Sequence, residues 1–146
     1  MQRREFIRSS CIACLGLSVG ATVLAGCTGT RYAHGTLNNN GMLIDIAEFD
    51  TRSKGKRPYV VVRHDDLSYP ICIYRHEDDT YTALLMRCTH QGVELQVSGD
   101  QLTCPAHGSE FDNRGQVMQA PAPEPLRTFP VSVTGTQLFI DLRKQA

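Results

Sequence analysis

The chain has 146 residues, no tryptophan and an aromatic content of 7 %, which leaves room for one domain with a core of modest size. Its 15 Lys and Arg match its 15 Asp and Glu, so the formal charge is zero. That balance excludes a nucleic-acid binder, whose phosphate contacts need a basic patch. Of the six cysteines, only Cys88 and Cys104 stand beside histidines, and no disulfide framework is visible.

In chain order, the first feature is Arg3-Arg4-Glu5-Phe6-Ile7-Arg8 ahead of an apolar segment from Cys11 to Gly26. A bilayer span wants about 20 strongly apolar residues, and this one is short and interrupted by Gly16 and Gly20. It reads as an export signal, and the paired Arg3 and Arg4 resemble the twin-arginine type, whose pathway moves folded, cofactor-loaded proteins. The segment ends Leu24-Ala25-Gly26-Cys27, which resembles a bacterial lipobox. That resemblance implies cleavage before Cys27 and its lipidation, giving residues 1–26 as signal and a chain tethered to a membrane surface. Each buried acyl methylene contributes about 0.8 kcal/mol to such an anchor. The alternative is an uncleaved signal anchor in which Cys27 is one more small residue. Cys11 and Cys14 inside this segment are assigned no role.

Residues 27–41 are polar and small and include Asn38-Asn39-Asn40-Gly41, which favours a flexible tether, with His34 solvated in it. From residue 42 to the C-terminus the chain reads as short strands: Met42 to Ile46, Pro58 to Val62, Ile71 to Tyr74 and Tyr81 to Leu85, the last two joined across the turn His76-Glu77-Asp78-Asp79. The charged run Asp50 to Arg57 reads as a solvated connection, Cys72 as a buried small residue, and His64 and His76 as exposed strand ends. Gln116-Val117-Met118 is a further short strand. Pro121, Pro123 and Pro125 make a stiff loop of the following stretch, because proline fixes its own φ and cannot donate to a sheet. Thr128 to Val133 and Gln137 to Leu142 close the chain as a hairpin about Thr134-Gly135-Thr136. No helical period and no internal repeat appears, so the fold class is all-β.

Between these strands lie Cys88-Thr89-His90-Gln91-Gly92 and Cys104-Pro105-Ala106-His107-Gly108-Ser109-Glu110-Phe111. Each loop offers one sulfur, one imidazole and a glycine, Gly92 or Gly108, where the backbone must bend tightly. A structural zinc could take two thiolates and two imidazoles, although its usual loops supply two sulfurs from one turn. A two-iron cluster suits one sulfur and one nitrogen per loop. The pattern closely resembles that of Rieske-type [2Fe-2S] proteins, in which two histidines replace two cysteines on one iron.

The resemblance implies an antiparallel β-sandwich with a small cluster-binding subdomain at about 86–119, and one [2Fe-2S] cluster. In that pattern Cys88 and Cys104 bind the inner iron and His90 and His107 the outer one. Potentials in this class span about −150 to +300 mV, against about −400 mV for plant-type ferredoxins. The branch found in cytochrome bc and b6f complexes adds two cysteines whose disulfide braces the loops; the corresponding positions here are Val93 and Ala106. Packing, in which Val93 and Ala106 can take part, and the proline loop must replace that brace. Ser109 matches the family serine that donates to a bridging sulfide. Phe111 stands where the highest-potential branch has a hydrogen-bonding tyrosine. An intermediate potential is expected.

With no nucleophile triad, facial iron triad or nucleotide loop in sight, the expected function is one-electron transfer, with no catalysis by the chain alone. It would act as a carrier or small subunit beside a redox partner or larger oxidoreductase subunit, exported to the periplasmic side or cell envelope of a bacterium and lipid-anchored to a membrane. The alternatives are a quinol-oxidising subunit of a bc-like complex, in which His90 or His107 would bind quinol, and a small subunit like that of arsenite oxidase.

Overall fold

The computed structural model describes residue 30 and residues 32–143. The expectations placed on Arg3, Arg4, Cys11, Cys14 and Cys27 therefore fall outside the described residues. The chain forms β1 (Tyr32–Ala33), β2 (Gly35–Leu37), β3 (Gly41–Asp45), a 3-10 turn at Ile46–Phe49, β4 (Tyr59–Val62), β5 (Ile71–Arg75) and β6 (Tyr81–Leu85). There follow β7 (Gln96–Ser98), β8 (Gln101–Thr103), β9 (Glu110–Asp112), β10 (Val117–Gln119), β11 (Thr128–Phe129), β12 (Val131–Thr134) and β13 (Gln137–Asp141).

Three sheets result: a central one in the order β1-β4-β5-β6-β11, a side sheet β12-β13-β3-β2, and a smaller sheet β10-β9-β8-β7. All pairs are antiparallel except β1 with β4. The central sheet is covered on both faces, which explains why β4 and β5 read as unbroken apolar runs. Alternate residues point to opposite faces of a strand. Val60, Val62, Ile71, Ile73 and Ala83 thus meet Met42, Ile44, Leu138 and Ile140 of the side sheet in one core. Their neighbours Val61, Cys72, Tyr74 and Leu84 join Leu95, Leu102, Phe111 and Leu126 in a second. Each large side chain fully buried in this way contributes about 1.5–3 kcal/mol.

The register also gives the central sheet two distinct ends. Val62 pairs with Ile71 and Ile71 with Leu85 at one end, whereas Tyr59 pairs with Tyr74 and Arg75 with Tyr81 at the other. Segments 63–70 and 86–95 leave from the first end, and the charged connection 50–57 enters at the second. Asp50 and Lys56 bridge that connection, as expected of a solvated loop.

Four expectations need correction. The stretch taken as a tether is structured from Tyr32 onward: Ala33 is buried and β2 pairs with β3. The asparagine run that suggested a linker is the turn between those strands, where Asn38 Oδ1 accepts the amide hydrogens of Asn40 and Gly41, both at 2.9 Å. Thr128 to Val133 is not one strand, because Pro130 separates β11, which pairs with β6, from β12, which pairs with β13. The chain there crosses from the central sheet to the side sheet. His64 and His76 are half-buried rather than exposed. His64 Nδ1 accepts the Asp66 amide hydrogen and His76 Nε2 lies 2.7 Å from Thr82 Oγ1.

Candidate metal centre

The two cysteine-histidine loops occupy one end of the second core, and their backbones follow the same plan. In the first, the Gly92 amide donates to the Cys88 carbonyl at 2.8 Å and the Cys88 amide to the Val93 carbonyl at 2.9 Å. In the second, Gly108 donates to Cys104 at 3.0 Å and Cys104 to Ser109 at 2.8 Å. Each loop therefore closes through a glycine four residues after its cysteine. Both glycines have left-handed φ, 72° and 76°, which a side chain disfavours. At Gly92 a Cβ would also press to 3.2 Å from Arg87 Nε.

This skeleton folds Cys88 and Cys104 inward, 1 % and 2 % exposed, with neither in a disulfide. The histidines lie nearer the surface than the cysteines. Their rings stand edge to face with centroids 4.9 Å apart; His90 is half-buried and His107 exposed. His90 Nδ1 is buried with no hydrogen-bond partner. Buried ring nitrogens are ordinarily satisfied, and this unpaired one is open to a ligand supplied from outside the chain. Each loop supplies one sulfur and one imidazole, which suits a cluster of two irons with thiolates on one and imidazoles on the other better than a tetrahedral zinc, whose loops usually supply two sulfurs from one turn.

A third segment lies against both loops. Thr89 Oγ1 donates to the Glu124 carbonyl at 2.7 Å, tying the first loop to the proline stretch. Gln119 Nε2 donates to the Gly108 carbonyl at 3.1 Å, and the Ala122 amide donates to Ser109 Oγ at 3.0 Å, tying the second. The Tyr69 hydroxyl also donates to the Gly92 carbonyl at 2.8 Å. Sequence reasoning missed Thr89, Gln119 and Tyr69; only Thr89, sitting between Cys88 and His90, carried a local signal. Val93 is half-buried against the second core, but Ala106 is exposed, so the packing role expected of Ala106 does not hold.

Ser109 is fully buried. Because its oxygen accepts from Ala122, its hydroxyl hydrogen remains available to a further acceptor. Phe111, also fully buried, lies opposite Leu102 and Val117 and offers no donor. Cys72 is buried in the same core, where desolvation pushes its thiol far up and keeps it neutral, as suits a packing residue.

A family model for the Rieske [2Fe-2S] domain matches residues 44–130. The cytochrome b6-f complex iron-sulfur subunit of Synechococcus elongatus is 36 % identical over 83 residues, which are 56 % of this chain and 40 % of that protein. The corresponding subunit of Chlorobaculum tepidum is 27 % identical over 81 residues, 48 % of this chain and 45 % of its own length. The chain thus matches less than half the length of these curated relatives. Among solved structures, the plasma-membrane Rieske protein PetC3 of Synechocystis superposes with a TM-score of 0.51 at 23 % identity, covering 57 % of this chain and 86 % of that one. A chain from a complex of oxygenase and ferredoxin in carbazole 1,9a-dioxygenase gives 0.51 at 23 %, covering 71 % and 96 %. At that identity the structural likeness concerns the fold.

Proposed function

Because the chain belongs to the Rieske [2Fe-2S] domain family, we propose that it is a one-electron transfer protein whose cluster is held by Cys88 and Cys104 on one iron and by His90 and His107 on the other. A Rieske cluster supplies a single redox step at a milder potential than an all-thiolate cluster. The observation that carries the assignment is the buried, unpartnered Nδ1 of His90 beside two buried, unbridged thiols.

The remaining site residues set the conditions of that step. Ser109 holds a hydroxyl hydrogen ready for an acceptor within the core, which favours the more negative, reduced state. Phe111 adds no second donor. Valine and alanine at positions 93 and 106 leave the loops without a covalent brace, and the struts from Thr89, Gln119, Ser109 and Tyr69 take over its mechanical role. These features support a potential between those of four-cysteine ferredoxins and disulfide-braced Rieske proteins. The paired Arg3 and Arg4 and the Cys27 lipobox support export and a lipid tether, with a redox protein or larger oxidoreductase subunit as partner.

Iron and acid-labile sulfide analysis, with electron paramagnetic resonance of the dithionite-reduced protein, tests the reading. Equal iron and sulfide and a Rieske signal that disappears in Cys104→Ser are expected; stoichiometric zinc without sulfide would overturn it. A second reading, a quinol-oxidising subunit of a bc-like complex, is favoured by the b6-f names of the curated relatives. Val93, Ala106 and Phe111 weigh against it. A redox titration giving a potential as high as the braced proteins would decide for quinol.

A further inference from the structure

Beside the first ligand loop runs a groove of about 530 Å³ lined by Leu85, Arg87, Thr89, Glu124, Leu126 and Arg127, among others. It meets a second recess of about 260 Å³ at Leu85 and Arg127. Thr89 is the neighbour of His90 in the chain, so the groove borders the loop that carries one of the two imidazoles through which an electron would leave. Both arginines are exposed, yet their guanidinium groups are held in place. Arg87 lies 5.8 Å from the Tyr69 ring centroid, and Arg127 lies 4.7 Å from that of Phe129 while its Nη2 donates to the Leu142 carbonyl at 3.2 Å. Among the described residues neither has a carboxylate within ion-pair distance. Glu94 is engaged by Arg63, and Asp66 by His64 at 3.5 Å. The one carboxylate lining the groove is that of Glu124, on its exposed rim. The two ligand loops themselves, 88–92 and 104–109, contain no charged residue.

We infer that the Arg87–Arg127 groove is the anion-recognising flank of the electron-transfer surface, built for a redox protein partner that sets carboxylates beside the His90 loop. This rests on the electron-transfer reading given above. Two oriented cations at the rim of an uncharged exit, on a chain whose formal charge is zero, make attraction local to this flank. Such attraction steers encounter and fixes orientation, and it weakens as salt shortens the screening length.

The test uses the full-length reduced holoprotein and two outer-sphere oxidants of opposite charge. The protein passes one electron to hexacyanoferrate(III), giving hexacyanoferrate(II), or to tris(phenanthroline)cobalt(III), giving the cobalt(II) complex. Stopped-flow rates are measured from low to high ionic strength. Hexacyanoferrate(III) oxidation should slow with added salt. Arg87→Gln and Arg127→Gln should each reduce its low-salt rate by roughly two- to fivefold, leave the midpoint potential unchanged, and not slow the cobalt oxidant. Glu124→Gln should act in the opposite sense. Arg52→Gln, which makes the same change in net charge on the exposed connection at the far end of the central sheet, should do nothing. Redox-inert hexacyanocobaltate(III) supplies a readout free of electron transfer: it should shift the Nε–H resonances of Arg87 and Arg127 and not that of Arg52. Equal effects of Arg52→Gln and the groove variants, or no effect of either groove variant, would overturn the inference. A preparation with no Rieske signal would instead overturn the functional reading beneath it.

Discussion

The two ligand loops have one backbone plan and two different surroundings. Each closes through a positive-φ glycine and the same pair of amide bonds to and from its cysteine. Yet the first loop is held at three points, by Tyr69, by Val93 against the core and by Thr89 against the proline stretch, and its histidine is half-buried. The second depends on Ser109 and Gln119, and its histidine is exposed. The difference teaches that the thiols are fixed by short-range geometry common to both loops, while access to each imidazole is set by what the rest of the chain places beside it.

The largest effect should come from the shared feature. Cys88→Ser and Cys104→Ser should abolish the reduced-cluster signal equally; a variant retaining it at near-normal intensity would show that the two loops are not equivalent at their sulfurs. Next come the cores behind them. Leu102→Ala in the second core and Ile73→Ala in the first should each cost about 2–5 kcal/mol in denaturant titrations. Only the former is expected to hasten iron loss to a chelator; equal hastening would mean that the cores are not separable.

The setting of the second loop can then be probed through the midpoint potential. Ser109→Ala should lower it by about 20–60 mV, the one-electron equivalent of a hydrogen bond worth about 0.5–1.5 kcal/mol. Phe111→Tyr should raise it. An unchanged value in both would remove these residues from the account of the potential. The struts should matter less: Thr89→Val and Gln119→Leu should shorten the lifetime of the cluster in chelator, the first by releasing the His90 loop and the second by releasing that of His107, with little change in potential.

The smallest effect lies beyond the loops. Burial lowers the pKa of His76 from 6.5, so the unfolded chain takes up protons at higher pH than the native one. Stability should therefore decline slightly as pH falls below 6.5, and His76→Gln should flatten that slope while leaving the potential unaltered. A slope unchanged in His76→Gln would assign the acid sensitivity elsewhere.

Legibility in the sequence followed distance along the chain. The cysteine–histidine pairs, their glycines and the strands β3 to β6 depend on residues within a few positions of one another, so spacing makes them visible. The three-residue strands β7, β8 and β9 are too short to show a period, and they escaped notice. The Asn38 to Gly41 run shows how one composition serves two ends: asparagine and glycine suit a linker, but here their side-chain and backbone donors close a hairpin. The struts could not be read at all, since Thr89 and Glu124 are 35 residues apart and meet only after the proline stretch folds back.

The parallel pairing of β1 with β4 has a consequence for how the whole domain would stand on a surface. Since both strands run the same way, Tyr32 and Ala33 align with Val61 and Val62. The beginning of β1 therefore points toward the end of the sheet where β4 starts, away from His90 and His107. Under the lipid tether proposed above, an anchored chain would enter β1 from that end of the sheet.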